Sequence, residues 1–112
     1  MEFITNSSPF GSRTRTRTLA ALALLRQSYP RELSRLMGAS LTAVRKALAS
    51  LERDALVAGR AVGRTRVYEL NPSYFARTEL KALASKLAAT DDDLRARIAQ
   101  LRRRPRRMAK PL

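Results

Sequence analysis

Thr42, Ala43, Arg45, Lys46 and Ser50 fall within nine residues and combine hydroxyl, guanidinium and ammonium donors with small side chains. No acid interrupts the run before Glu52. Such donors can reach base edges and phosphates in a DNA major groove, and small residues let the backbone come close. An arginine or lysine on guanine O6 and N7 is the commonest specific pairing, worth about 1–3 kcal/mol when bidentate. The plainer alternative is a solvated face whose cations touch only phosphates.

A second cluster is Arg60, Arg64, Thr65 and Arg66, which straddles Gly63. An arginine at a turn can enter a narrow A·T minor groove, where negative potential is concentrated. The alternative is a solvated turn. Further upstream, Arg13, Arg15 and Arg17 alternate with threonines, and on a helix Arg13 and Arg17 share a face. They, together with Arg31 and Arg35, could touch flanking phosphates or serve only solubility.

Asp91-Asp92-Asp93 invites a metal-site reading, but three carboxylates at a helix start complement its dipole. Asp91–Arg95 and Asp93–Arg97 would also pair at i, i+4. No metal or other cofactor is expected. The basic run from Arg102 to Lys110 could bind phosphates without fixed register, or be a solubilising end.

Composition narrows the chemistry further. The chain of 112 residues carries a formal net charge of +14 and contains neither histidine nor cysteine. An imidazole base, a thiolate nucleophile and a zinc site of the Cys/His type are therefore excluded. The 4 glycines are scattered, so no phosphate-cradling loop is present, and an enzyme is not expected. The charge implies a polyanionic partner, most often nucleic acid, less often an acidic membrane surface. It is not confined to a tail: residues 1–78 hold 13 basic and 5 acidic groups, and residues 79–112 hold 10 and 4.

No apolar run approaches the roughly 18 residues of a membrane span. Leu19 to Leu25 is short and follows an arginine-rich stretch without a small-residue cleavage site, so no signal peptide is expected. The expected location is cytoplasmic, associated with the nucleoid.

The elements that must position these donors follow from apolar spacing. Leu41, Val44, Leu48 and Leu51 predict a helix over about 40–54, with Ser40 as its cap. Thr42, Ala43, Lys46, Ala49, Ser50 and Arg53 lie on its other side, with Arg45 on the flank. A first helix is predicted from about Ser12 to Arg26, where leucine and alanine dominate. Its basic first turns oppose the helix dipole, a placement that an external phosphate would offset.

A short second helix spans Pro30 to Met37 and is ended by Gly38. Two strands, 56–62 and 67–70, flank a turn at 63–66. Further helices are predicted over 73–89 and from Thr90 to about Arg104. The fold class is mainly α with a small β-hairpin. The domains are a flexible arm (1–9), a binding domain (10–72), C-terminal helices (73–104) and a basic tail (105–112).

Helix, short helix, glycine turn, third helix, hairpin and helix is the order of a winged helix. The residues carrying the likeness are Phe10-Gly11-Ser12, Pro30 to Leu36, Leu48 to Leu56, Gly63 to Tyr68 and Leu70-Asn71-Pro72. Over about residues 10–88 the chain resembles the small bacterial and archaeal winged-helix transcription regulators of the ArsR-like group.

The resemblance implies a homodimer on double-stranded DNA, with its terminal helices pairing subunits. Leu19 and Leu22 on the first helix, and Ala76, Leu80, Leu83, Ala84 and Leu87 on a later one, would form that contact. Leu94, Ile98 and Leu101 would extend it as a short coiled coil, or dock on their own subunit. Metal- and arsenic-sensing members use cysteine or histidine ligands, which this chain lacks, and Asp54 stands where glycine is expected.

The function expected is a dimeric, sequence-specific DNA-binding transcription regulator. Helix 40–54 would enter the major groove and wing 60–66 would lie on the minor groove or backbone. A nonspecific architectural nucleic-acid binder and a winged-helix protein-interaction module are the alternatives. Nothing in the sequence assigns a small-molecule effector.

Overall fold

The computed structural model, which describes residues 9–103, is built around helix α1, Arg13–Leu25. The Ser12 hydroxyl caps its start by accepting from the Arg15 amide. Leu19, Ala20, Ala21 and Leu22 pass through the centre of the core at 0–2% exposure. Leucine and alanine suit this position because the helix is covered by neighbours on several sides, and no polar atom there needs a partner. Arg26 closes the helix with a φ of 76° and turns the chain into β1, Gln27–Ser28.

Helix α2, Pro30–Met37, begins with proline at a position where its missing N–H costs nothing, and ends at Gly38 with a φ of 65°. Helix α3, Leu41–Arg53, starts where the Ser40 hydroxyl accepts from the Ala43 amide at 3.1 Å. Val44, Ala47, Leu48 and Leu51 are its buried stripe. These two helices and the turn at 38–40 form the expected helix-turn-helix. Asp54 keeps an ordinary φ of −85°. The left-handed residue falls one place later, at Ala55 with a φ of 67°. Asn71 Nδ2 steadies that turn by donating to the Ala55 carbonyl at 2.9 Å.

Strands β2, Val57–Val62, and β3, Thr65–Leu70, form the wing, and β1 pairs with the far side of β3. Val62 faces Thr65, so the turn is only Gly63-Arg64, and Gly63 supplies the positive φ such a turn requires. Thr65 and Arg66, expected in the turn, are therefore strand residues. β1 falls between the two helices expected to end at Arg26 and begin at Pro30, where no strand was expected. A strand of 2 residues, fixed by Gln27 opposite Glu69 and Ser28 opposite Tyr68, is too short to show periodicity.

Helix α4, Arg77–Ala89, begins four residues later than the expected 73. Asn71 Oδ1 accepts from the Ser73 amide at 2.9 Å and holds the preceding segment in a turn. The helix lies against α1, with Leu80, Ala84 and Ala88 buried; the two alanines let it approach closely. Helix α5, Asp92–Arg103, is capped by Asp91, which accepts from the Leu94 amide at 3.1 Å. α5 folds back on its own chain, burying Leu94 and Ile98, while Arg102 donates to the Leu24 carbonyl at 2.7 Å.

Most residues of the expected dimer stripe are covered within this chain. Leu19, Leu22, Leu80 and Ala84 belong to the core of their own chain, and Ala76 and Leu87 are half-buried. Leu83, at 42% exposure, is the member of the set that faces outward. The seam of Leu94, Ile98 and Leu101 packs on the same subunit rather than extending away from it. Residues 1–8 of the expected arm, Arg104 and the tail at 105–112 lie outside the described residues.

Candidate nucleic-acid interface

At 3.6 residues per turn, the side of α3 opposite Val44, Leu48 and Leu51 carries Thr42, Lys46, Ala49 and Arg53, with Arg45 on one flank. All five are exposed. Arg45, Lys46 and Arg53 make no ion pair or side-chain hydrogen bond among the described residues. The N-terminal two-thirds of the helix therefore offers free donors on a surface with little bulk. Ser40 is exposed, but its hydroxyl is engaged in capping. Ala43 is half-buried at the edge of the face.

The C-terminal end of α3 differs. The Ser50 hydroxyl accepts from Arg15 Nη1, so Ser50 is directed toward α1 rather than outward. Arg15 also donates to Asp54 Oδ2 at 2.9 Å and to the Phe10 carbonyl at 2.5 Å. Arg17, expected to reach a flanking phosphate, is committed within the fold. It contacts Asp91 at 2.8 Å, Asp93 at 3.4 Å and the Met37 carbonyl at 3.0 Å, and its side chain is 15% exposed. Its unfavourable position near a helix start is thus offset by internal carboxylates. Arg13, Arg31 and Arg35 are exposed.

The arginine cluster of the wing is divided by the strand register. Cross-strand partners share a face, so Ala61 with Arg66 and Gly59 with Tyr68 lie on one side, and Arg60 with Val67 on the other. Arg66 is on the side nearer α3: its Nη2 donates to Glu52 Oε2 at 2.8 Å and to the Gly59 carbonyl at 3.2 Å. Its guanidinium lies 5.7 Å from the centre of the Tyr68 ring. The hydrogen bond and charge of Glu52 raise the Arg66 pKa above its already high ordinary value, so the group stays cationic. On the other face, Arg60 donates to Gln27 Oε1 at 2.9 Å. Arg64 alone occupies the tip, exposed and without a partner among the described residues.

The acidic triplet is also rearranged. Asp91 is taken by Arg17, so the expected Asp91–Arg95 pair does not form, and Arg95 meets Asp92 at 3.2 Å. Asp93–Arg97 forms as expected at 3.1 Å. The hydrogen bond from Arg97, aided by the charges of Arg97 and Arg17, lowers the Asp93 pKa. Among the described residues no group of three or more carboxylates is placed to hold a metal ion. No described helix is long and apolar enough to cross a membrane.

The outer face of α3 and the tip of the hairpin were expected from the sequence; the contacts of Glu52 and Gly59 with Arg66 were not. Glu52 was read only as the end of a basic run. Its spacing of seven residues from Arg45 was the available signal, since that interval returns to the same flank of a helix.

No protein-family model and no curated protein matches the chain. Among solved structures it is similar to the adhesin competence repressor AdcR of Streptococcus pyogenes, with a TM-score of 0.54 and 19% sequence identity. The match covers 90% of this chain and 68% of that one. A likeness at this identity is one of fold, and the class it defines, together with the element order, is the winged helix-turn-helix.

Proposed function

We propose that the chain is a DNA-binding transcription regulator that sets α3 in the major groove and the wing on the adjacent minor groove or backbone. The observation that carries this reading is the outer face of α3. Among the described residues, Arg45, Lys46 and Arg53 stand exposed and unpaired there beside Thr42, on a helix-turn-helix, with Arg64 free at the wing tip. A net charge of +14 supplies the attraction to a polyanion. The similar fold of a protein named as a repressor is consistent with it.

A homodimer is part of the proposal. Leu83 on α4 and Phe75 just before it, at 42% and 92% exposure, leave apolar surface on the side away from the core. A twofold dimer would favour an inverted repeat with half-site centres about 34–36 Å apart, or a multiple of that distance. The motif order suggests the ArsR-like group within this class, without metal sensing through cysteine or histidine, since neither is present. Catalysis has no support in the residues available.

A selection from random duplex DNA near physiological salt tests the proposal. It is followed by titration of the enriched and a scrambled duplex at several salt concentrations. An enriched inverted repeat that binds well above the scrambled control is the expected result. Equal binding to both, with a steep salt dependence, would replace specific readout with architectural binding by charge.

A further inference from the structure

We infer that Glu52 determines specificity: it holds Arg66 back from phosphates, so that this cation is released only when the wing is seated on its groove. The inference rests on the DNA-binding reading and adds a residue to it. Glu52 shares its flank of α3 with Arg45, at the border between the recognition face and the wing. A carboxylate there repels phosphate, so it weakens binding to any duplex unless its charge is engaged.

The geometry supplies that engagement. Glu52 from α3, Gly59 from β2 and Tyr68 from β3 together seat the guanidinium of Arg66. Gly59 is required for the seat, because a Cβ at that position would lie 2.8 Å from both Arg66 Nε and Tyr68 Cε2. Arg66 nevertheless keeps 47% of its side chain exposed. An ion pair this open is weak, and a phosphate oxygen brought within reach can take the guanidinium over. On a mismatched duplex the wing does not reach that position, and Arg66 stays neutralised by Glu52. Arg60 and Arg64 make no ion pair among the described residues: one meets Gln27 on the opposite face and the other stands at the tip.

The test is a double-mutant cycle with Glu52→Gln, Arg66→Ala and both together. Each protein is titrated with the enriched and the scrambled duplex over a salt series. Glu52→Gln is expected to tighten the scrambled duplex about threefold to fivefold and the enriched duplex less than about twofold. The salt slope on the scrambled duplex should steepen by about 0.9, one phosphate contact. In the Arg66→Ala background, Glu52→Gln should leave that slope unchanged. Gly59→Ala, which unseats Arg66 without altering charge, should lower discrimination in the same direction as Glu52→Gln.

If Glu52→Gln tightens both duplexes equally, or acts identically with and without Arg66, Glu52 is merely a repelling charge and the inference is wrong. A wild-type chain that binds every duplex alike removes sequence readout and this inference together. A wild type that discriminates, with a ratio that survives Glu52→Gln, removes this inference alone.

Discussion

Arg15 and Arg17 of α1 are the same kind of residue as Arg45 of α3, and both helices are 13 residues long. The fold uses them in opposite ways. The α1 arginines turn inward to carboxylates that lie 39 and 74 residues away along the chain, at Asp54 and Asp91. Arg17 thereby joins α1, the end of α2 and the start of α5. Arg45 and its neighbour Lys46 face solvent with no acid in contact among the described residues. A basic side chain that is covered and held by carboxylates, as Arg17 is at 15% exposure, is withdrawn from partners, whereas one left exposed stays available to them. Local arginine density does not reveal which case applies.

The comparison can be broken most directly on α3. Replacing Arg45 and Lys46 together by alanine should weaken the enriched duplex on the order of a hundredfold, from two contacts worth about 1–3 kcal/mol each when bidentate. Thermal melting should not change. Unaltered affinity would mean the free cations of α3 are not the contact surface.

Arg17→Ala should show the reverse pattern. Loss of charge-assisted hydrogen bonds from a largely covered guanidinium should cost about 2 kcal/mol of stability. For a domain of this size that corresponds to a melting temperature lower by about 10 °C. The salt dependence of DNA binding should be preserved. An unchanged melt with a shallower salt slope would move Arg17 into the set that contacts phosphate.

Arg64→Ala sharpens the account of the wing. It should weaken all duplexes a few-fold and reduce the salt slope by about 0.9, without a change in melting. The smallest effect belongs to Asp93→Asn. The Asp93 pKa is lowered in the folded chain, first by its hydrogen bond with Arg97. Its contribution is therefore present above the ordinary carboxylate pKa and is lost as pH falls through the lowered value. The variant should melt marginally below the wild type near neutrality, and the two should converge well below pH 4, as followed by circular dichroism.

Much of the fold was legible because its signals are local. Ser40 caps the helix expected of it, Pro30 and Gly38 bound α2, and Leu41, Val44, Leu48 and Leu51 orient α3. What escaped depends on contacts between distant segments. β1 exists only because β3 lies beside it. The α4 stripe resembles a dimer seam in sequence, but whether Leu80 meets α1 or a second subunit is decided by where α1 lies. In the candidate site, Arg60 and Arg66 look like one cluster. The two-residue turn sets a register that puts them on opposite faces. Glu52 had no visible task until β3 brought Arg66 to it.

The most direct test of the central claim maps the bound surface. The amide resonances of the chain, labelled with nitrogen-15, would be followed while the enriched duplex is added. The account expects the largest changes along residues 41–53 and around Arg64 at the wing tip, with α4 and α5 little affected. Changes concentrated around the exposed Phe75 and Leu83, with α3 silent, would contradict it.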